Sequence, residues 1–325
     1  MSFTAILILS MLSSCSDVDN PIGIPPLPAT IEIGTNASPE DVKEYNGFLY
    51  TSNFFTGAIT RVKLSDLSTS TFVSAPTSVY NAGWGLNINP SKNWLLSIRN
   101  KPYDFNPANA IGQMGIVNAY NIETGVLERS WNLPEGCIGN AIDVDNAGNI
   151  YVSDIGPNAR IVKIDVITNV VSVWADGTNF TDGGFGLGGM IFNKTNGFYY
   201  SQNKKLFFVG IDSNGAAQES IEVNTGGAEV DADGMTWAGN NTIYYNFNDV
   251  FISGAQGFTG KIVLSNTTTG IHSIYQTGLR DSSGIFFSSY ANSNYLFVCE
   301  SQFGYAFGID NGNPANPFII KVYKQ

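Results

Sequence analysis

One phrase recurs six times along this chain, and nothing else in the sequence constrains the fold as tightly. The phrase is a polar or special residue, usually followed by Gly or Ala, then an apolar alternation, a turn and a second apolar strand. It begins at Glu40 (EDVKEYNGFLYTS), Trp84 (WGLNINPSKNWLLS), Asn140 (NAIDVDNAGNIYVS), Gly188 (GGMIFNKTNGFYYS), Asp233 (DGMTWAGNNTIYYN) and Ser283 (SGIFFSSYANSNYLFV). The spacings are 44, 56, 48, 45 and 50 residues, and self-similarity on that scale is the mark of a repeat architecture. Short runs of Val, Ile, Tyr, Phe and Thr alternate with Gly, Asn, Asp and Ser turns, and no long amphipathic helical stretch interrupts them. Each unit has room for four strands. In the third they are predicted at Ala141–Val144, Asn149–Asp154, Ile161–Val166 and Val170–Trp174. Four short antiparallel strands repeated six times predict an all-β fold, a six-bladed β-propeller, because radial closure buries both faces of every blade. The last unit supplies Ile285–Phe287, Tyr295–Cys299 and Ile319–Tyr323 and stops one strand short. Thr30–Ile33 (TIEI), upstream of the first unit, is expected to close the ring as its outer strand.

Topology then locates a site. In an up-and-down blade the start of the first strand and the turn between the second and third strands lie at the same end. The six anchors Glu40, Trp84, Asn140, Gly188, Asp233 and Ser283 therefore ring one mouth of the central channel. The small residues after them, Gly85, Ala141, Gly189, Gly234 and Gly284, let the innermost strands approach one another, and Asp41 departs from this in the first blade. Long loops at 100–114, 175–187, 249–260 and 301–317 fall at the same end and carry many aromatic residues. They form either a ligand-binding rim or a shell packed on its own side chains.

Composition limits the chemistry at that mouth. With His272 the only histidine, a mechanism needing a His base beside a His ligand is excluded, as are multi-His metal sites. The chain holds 16 Lys and Arg against 27 Asp and Glu, a net charge of −11, so no grip on a nucleic-acid backbone is expected. Glu40 and Asp233 at a narrow mouth repel each other unless one is protonated or a cation sits between them. With the Asn140 carbonyl they offer three oxygen donors of the kind calcium prefers. A bound dication would polarise an ester or lactone carbonyl, with Asp233 as general base on a water. The alternative is that the three simply hydrate a polar channel. Arg99, Asp154, Asn248 and Glu300 end second strands on the same face and, with Trp84, are candidate substrate-binding residues. Arg99 is the one suited to a carboxylate. Rim salt bridges and turn hydrogen bonds are their structural alternative.

The N-terminus reads as an address and a tether. Ala5–Leu12 is apolar but too short to span a bilayer, and Leu12-Ser13-Ser14-Cys15 resembles a bacterial lipobox, whose Cys becomes the lipidated first residue, with an ordinary secretory signal as the alternative. Residues 1–14 are then a signal peptide and 15–29 a Pro-rich tether. Residues 30–325 form the propeller, held to a membrane of the bacterial cell envelope by lipid on Cys15. No disulfide is expected between Cys137 and Cys299, which lie on opposite sides of a six-fold ring.

The phrases SPEDVKEYNGFLYTSNFFTGAITRV, GNAIDVDNAGNIYVSDIGPNARIVKID and DADGMTWAGNNTIYY resemble the regucalcin/gluconolactonase family of six-bladed propellers over residues 38–325. The strictosidine-synthase-like and NHL-repeat proteins are wider relatives. The resemblance implies a divalent site made of a first-blade Glu, a fourth-blade Asn and a fifth-blade Asp, with a third-blade Asn nearby contacting substrate or metal. Glu40, Asn140 and Asp233 match the first, third and fifth positions, whereas Gly188 replaces the fourth-blade Asn. Two functions follow as expectations. One is metal-dependent hydrolysis of a lactone, ester or sugar acid; the other is a non-catalytic propeller that binds a glycan, peptide or partner protein through its loop-rich face.

Three further motifs are read as structural. Gly184–Gly189 spells GxGxxG but precedes a strand, so no helix N-terminus follows to hold a pyrophosphate. Asp143–Asn149 resembles a calcium loop but sits in a hairpin turn at the opposite end and lacks the closing Glu. His272 is placed in an outer strand.

Overall fold

A computed structural model of the chain describes residues 26–101, 114–177, 179–180, 186–247, 260–306 and 316–325. Within them, 24 strands form six four-stranded antiparallel sheets. The chain enters on β1 (Thr30–Gly34) and then builds blade one from β2 (Pro39–Tyr45), β3 (Phe48–Asn53), β4 (Ile59–Lys63) and β5 (Ser68–Val73). Blade two is β6 (Ala82–Asn89), β7 (Trp94–Asn100), β8 (Ile116–Asn121) and β9 (Leu127–Asn132). Blade three is β10 (Gly139–Val144), β11 (Ile150–Asp154), β12 (Arg160–Ile164) and β13 (Val171–Ala175), matching the four predicted strands within one or two residues at each end. Blade four is β14 (Met190–Phe192), β15 (Gly197–Gln202), β16 (Lys205–Gly210) and β17 (Ile221–Glu222). Blade five is β18 (Ala232–Gly239), β19 (Thr242–Phe247), β20 (Gly260–Asn266) and β21 (His272–Leu279). Blade six is β22 (Ser282–Tyr290), β23 (Ser293–Glu300) and β24 (Phe318–Lys324), with β1 antiparallel to β24 as its outer strand, Ile31 opposite Ile320.

Period-two alternation in these strands is apolar on both faces, because each face meets a different neighbouring blade. Leu95 and Tyr120 of blade two join Tyr50 and Ile59 of blade one, while Leu96, Ile98, Val117 and Ala119 join Ile142, Ile150 and Val152 of blade three. Among the described residues six such clusters occur, one per blade interface, so the core is a set of seams rather than a single centre. The outermost strands are polar where water reaches them: in β5, Ser68–Thr71 are exposed. Cys137 and Cys299 are free, buried and in different seams. The DVDNAGN segment turns as the sequence suggests, with Asp145 Oδ1 accepting from the Ala147 and Asn149 N–H groups and Gly148 at φ +84°.

Candidate functional site

The geometry at the axis comes from a backbone irregularity shared by the blades. In five of them the pairing of first and second strands slips at the anchor: between Pro39 and Val42, Gly83 and Leu86, Gly139 and Ile142, Ala232 and Met235, and Ser282 and Ile285. Each anchor and its follower thus face a single residue of the second strand, as a β-bulge that re-aims side chains toward the channel. In blade four, Gly188 and Gly189 stand just ahead of β14. The followers are small because the next blade's anchor carbonyl leans on them. A Cβ on Gly85 would lie 2.5 Å from the Asn140 oxygen, and one on Gly189 2.5 Å from that of Asp233.

A partial hoop of side-chain hydrogen bonds reaches anchor carbonyls across four of the six blade junctions. Ser52 Oγ donates to the Trp84 carbonyl at 2.7 Å, Ser153 Oγ to that of Gly188 at 3.1 Å, and Asn246 Nδ2 to that of Ser283. Between blades six and one, Ser283 Oγ donates to the Glu40 carbonyl at 2.5 Å. Asp41 shows why blade one departs from the small-follower rule. Its Oδ2 accepts from the Leu86 N–H of blade two at 2.8 Å, and its Oδ1 pairs with Lys43 Nζ at 2.7 Å.

Inside the hoop a cavity of about 60 Å³ runs along the axis, room for a few water-sized groups. Glu40, Asn140, Asp233 and Ser283 all line it, so four anchors from blades one, three, five and six share one space. Glu40 is 7% exposed and its Oε2 is buried with no hydrogen-bond partner. Burial pushes its carboxyl well above the ordinary range, the charges of Asp41 and Asp233 push further, and Lys43 opposes them. Among the described residues no three His, Cys, Asp or Glu side chains converge on a metal position. The orphaned Glu40 oxygen beside a second carboxylate is an arrangement that a divalent cation fits.

Gly188, the fourth-blade anchor, does not line the cavity. A Cβ there would meet Ser201 Oγ and the Ala232 carbonyl oxygen, the latter at 2.5 Å, so blade four has no room for the Asn that the resemblance implies without a backbone shift. Met190 and Ile191 line the cavity on that side instead.

The other candidates among the described residues, Trp84, Arg99, Asp154 and Glu300, do not line the cavity. Trp84 of blade two packs on Phe54, just after β3 of blade one, at 5.3 Å, and Phe54 on Phe303, just after β23 of blade six, at 4.9 Å. Asp154 is fully buried, its Oδ1 accepting from the Ile138 and Gly156 N–H groups and its Oδ2 from Arg160 Nε at 2.6 Å. Burial raises its carboxyl, and those hydrogen bonds oppose the rise. Glu300 Oε1 accepts from the Arg280 N–H. Arg99 is 2% exposed with its guanidinium carbon 5.5 Å from the Tyr120 ring centre. Asn248, Cys15 and most of the four long loops lie outside the described residues. His272 Nε2 is 3.2 Å from Ser265 Oγ and Nδ1 3.4 Å from Tyr245 Oη, a partnered histidine on an outer strand. The residues Gly186–Gly189 run into β14 and not into a helix.

Sequence reasoning missed a second tier. Lys43, Asn87, Asp143 and Lys194 also line the cavity. Asp143 joins three blades, its Oδ1 accepting from Asn87 Nδ2 and its Oδ2 from the Phe192 N–H, both at 2.7 Å. The available signal was the position three residues after an anchor, which holds Lys43, Asn87 and Asp143 in the first three blades.

No protein-family model matches the sequence, and no curated protein matches it. Solved structures do match in shape. The Malassezia sympodialis allergen Mala s 1 superposes with a TM-score of 0.61 at 15% identity, over 92% of this chain and 96% of its own. The calcium-binding protein regucalcin from Agrobacterium tumefaciens gives 0.59 at 13% identity, over 92% and 94%. A Xanthomonas campestris gluconolactonase gives 0.57 at 10% identity, over 93% and 100%. In fold, this chain is a six-bladed propeller of the regucalcin and gluconolactonase kind.

Proposed function

We propose that Glu40, Asn140 and Asp233 hold a divalent cation, calcium by their all-oxygen donor set, and that a lactone or ester, such as the lactone of a sugar acid, is hydrolysed at this mouth. The observation that carries the reading is the buried Glu40 carboxylate with Oε2 unpartnered in a cavity it shares with Asp233. A bound cation supplies charge that neutralises the carboxylates and polarises a carbonyl oxygen. Asp233 is less buried than Glu40 and takes the proton from the attacking water. The solved calcium-binding regucalcin and the gluconolactonase lend the reading its chemistry. The test is a thermal melt with calcium against chelator, beside a panel of γ- and δ-lactones. Calcium is expected to raise the melting temperature, and Asp233→Asn to lower chelator-sensitive hydrolysis by at least about a hundredfold. A melt indifferent to both additions, with no lactone turned over, overturns it.

Gly188 favours a second reading, since it supplies no fourth ligand and a side chain there has no space. In it the propeller is non-catalytic and its loop-rich face binds a glycan, peptide or partner protein. Glu40→Gln and Asp233→Asn then leave binding intact. For either function we propose that lipid on Cys15 holds the chain to the cell envelope. Cys15→Ser is expected to move it from the membrane to the soluble fraction.

A further inference from the structure

The residue that ends the register before each bulge has a common task in blades one, three and six. Asn53, opposite Pro39, donates through Nδ2 to the Asn36 carbonyl at 2.8 Å. Asp154, opposite Gly139, accepts from Ile138, and Glu300, opposite Ser282, accepts from Arg280. Each grips the linker that enters its blade. Arg99, opposite Gly83, occupies the same place in blade two and grips nothing.

Arg99 Nε and Nη2 are buried with no hydrogen-bond partner, and among the described residues no carboxylate pairs with it. Its neighbour is the Tyr120 ring, whose hydroxyl accepts from Asn118 Nδ2 at 2.9 Å. Strand alternation turns Arg99 to the same side as Leu95, into the seam with blade one. A guanidinium does not lose its proton in a protein, so this one stays charged although burial lowers its pKa. A buried charge without a partner is strongly unfavourable, and native structures compensate it. Nε and Nη2 share the edge of the guanidinium that presents two parallel N–H donors, the spacing of the two oxygens of a carboxylate.

We propose that the Arg99 fork is a receptor for a small carboxylate anion, held in the seam between the first and second blades. Arg99 does not line the axial cavity, so the site stands apart from the channel reading and does not depend on it.

The probe is formate, added to the full chain as its sodium salt in place of sodium chloride at constant ionic strength. The melting temperature is expected to rise along a one-site curve, by about 5 °C at a hundredfold excess over the dissociation constant. Arg99→Met is expected to abolish the response, whereas Glu40→Gln and Asp233→Asn keep it. Because Arg99→Met removes a buried side chain, wild-type binding is read independently from the broadening of the ¹³C-formate signal, with saturation near one equivalent expected. No saturable binding, an effect that chloride matches, or a response that survives Arg99→Met or vanishes in the two channel variants overturns the proposal.

Discussion

Burial and the charges of Asp41 and Asp233 hold the Glu40 carboxyl well above the usual carboxylate range. In metal-free buffer the folded chain therefore keeps a proton that the unfolded chain has released. That contribution is complete below the unfolded value of about 4.5 and is lost as pH rises through the higher native value. From this one group the slope is at most about 1.4 kcal/mol per pH unit. Urea midpoints of the wild type are expected to fall from about pH 4.5 upward, and those of Glu40→Gln to fall less. Asp154, also raised by burial, leaves the variant some slope of the same sign. Gly188 makes the opposite kind of test, since inserting a side chain adds strain rather than a ligand. Gly188→Asn is expected to cost about 1–3 kcal/mol in urea unfolding and to bring no gain in calcium response.

At the scale of elements, β1 is a short terminal strand with a large role. Ile31 and Ile33 are 1% and 4% exposed in the seam between blades six and one, whereas Glu32 points to solvent. Ile31→Ala is expected to cost about 2–5 kcal/mol and Glu32→Ala less than about 0.5, both read from urea melts. The strand was legible from TIEI because the repeat left blade six one strand short. The anchors and their followers were legible from spacing, and the close approach at Gly85 and Gly189 bears out the steric reason given for them. Strict alternation hid the rest. It forbids consecutive residues on one side, yet Glu40 and Asp41, Asn140 and Ala141, Asp233 and Gly234, and Ser283 and Gly284 all line the cavity as neighbours. The bulge that permits this leaves no residue signature of its own. It also decides where strand ends point, which is why Asp154 and Glu300 read as rim residues in sequence and hold linkers in the fold.

For the whole molecule, each hydrophobic seam belongs to two blades, so no blade has a private core to retain when a neighbour is lost. The five tryptophans, Trp84, Trp94, Trp131, Trp174 and Trp237, lie in blades two, three and five. Deleting the segment through Gly34 is therefore expected to expose them in the same transition, at a lower midpoint, as the loss of far-UV circular dichroism. A local loss in blade six would leave tryptophan fluorescence unchanged and contradict the shared-seam account. The hoop carries one more consequence. Its hydrogen bonds end on anchor carbonyls and start mostly from second-strand side chains such as Ser52, Ser153 and Asn246. Most anchor side chains are thus exchangeable without breaking the frame; the exceptions are Ser283, itself a donor in the ring, and Gly188, where a side chain has no space. Over evolutionary time such a scaffold lets the chemistry at the axis be rewritten residue by residue while the wheel stays intact, and it offers the same freedom to anyone redesigning it.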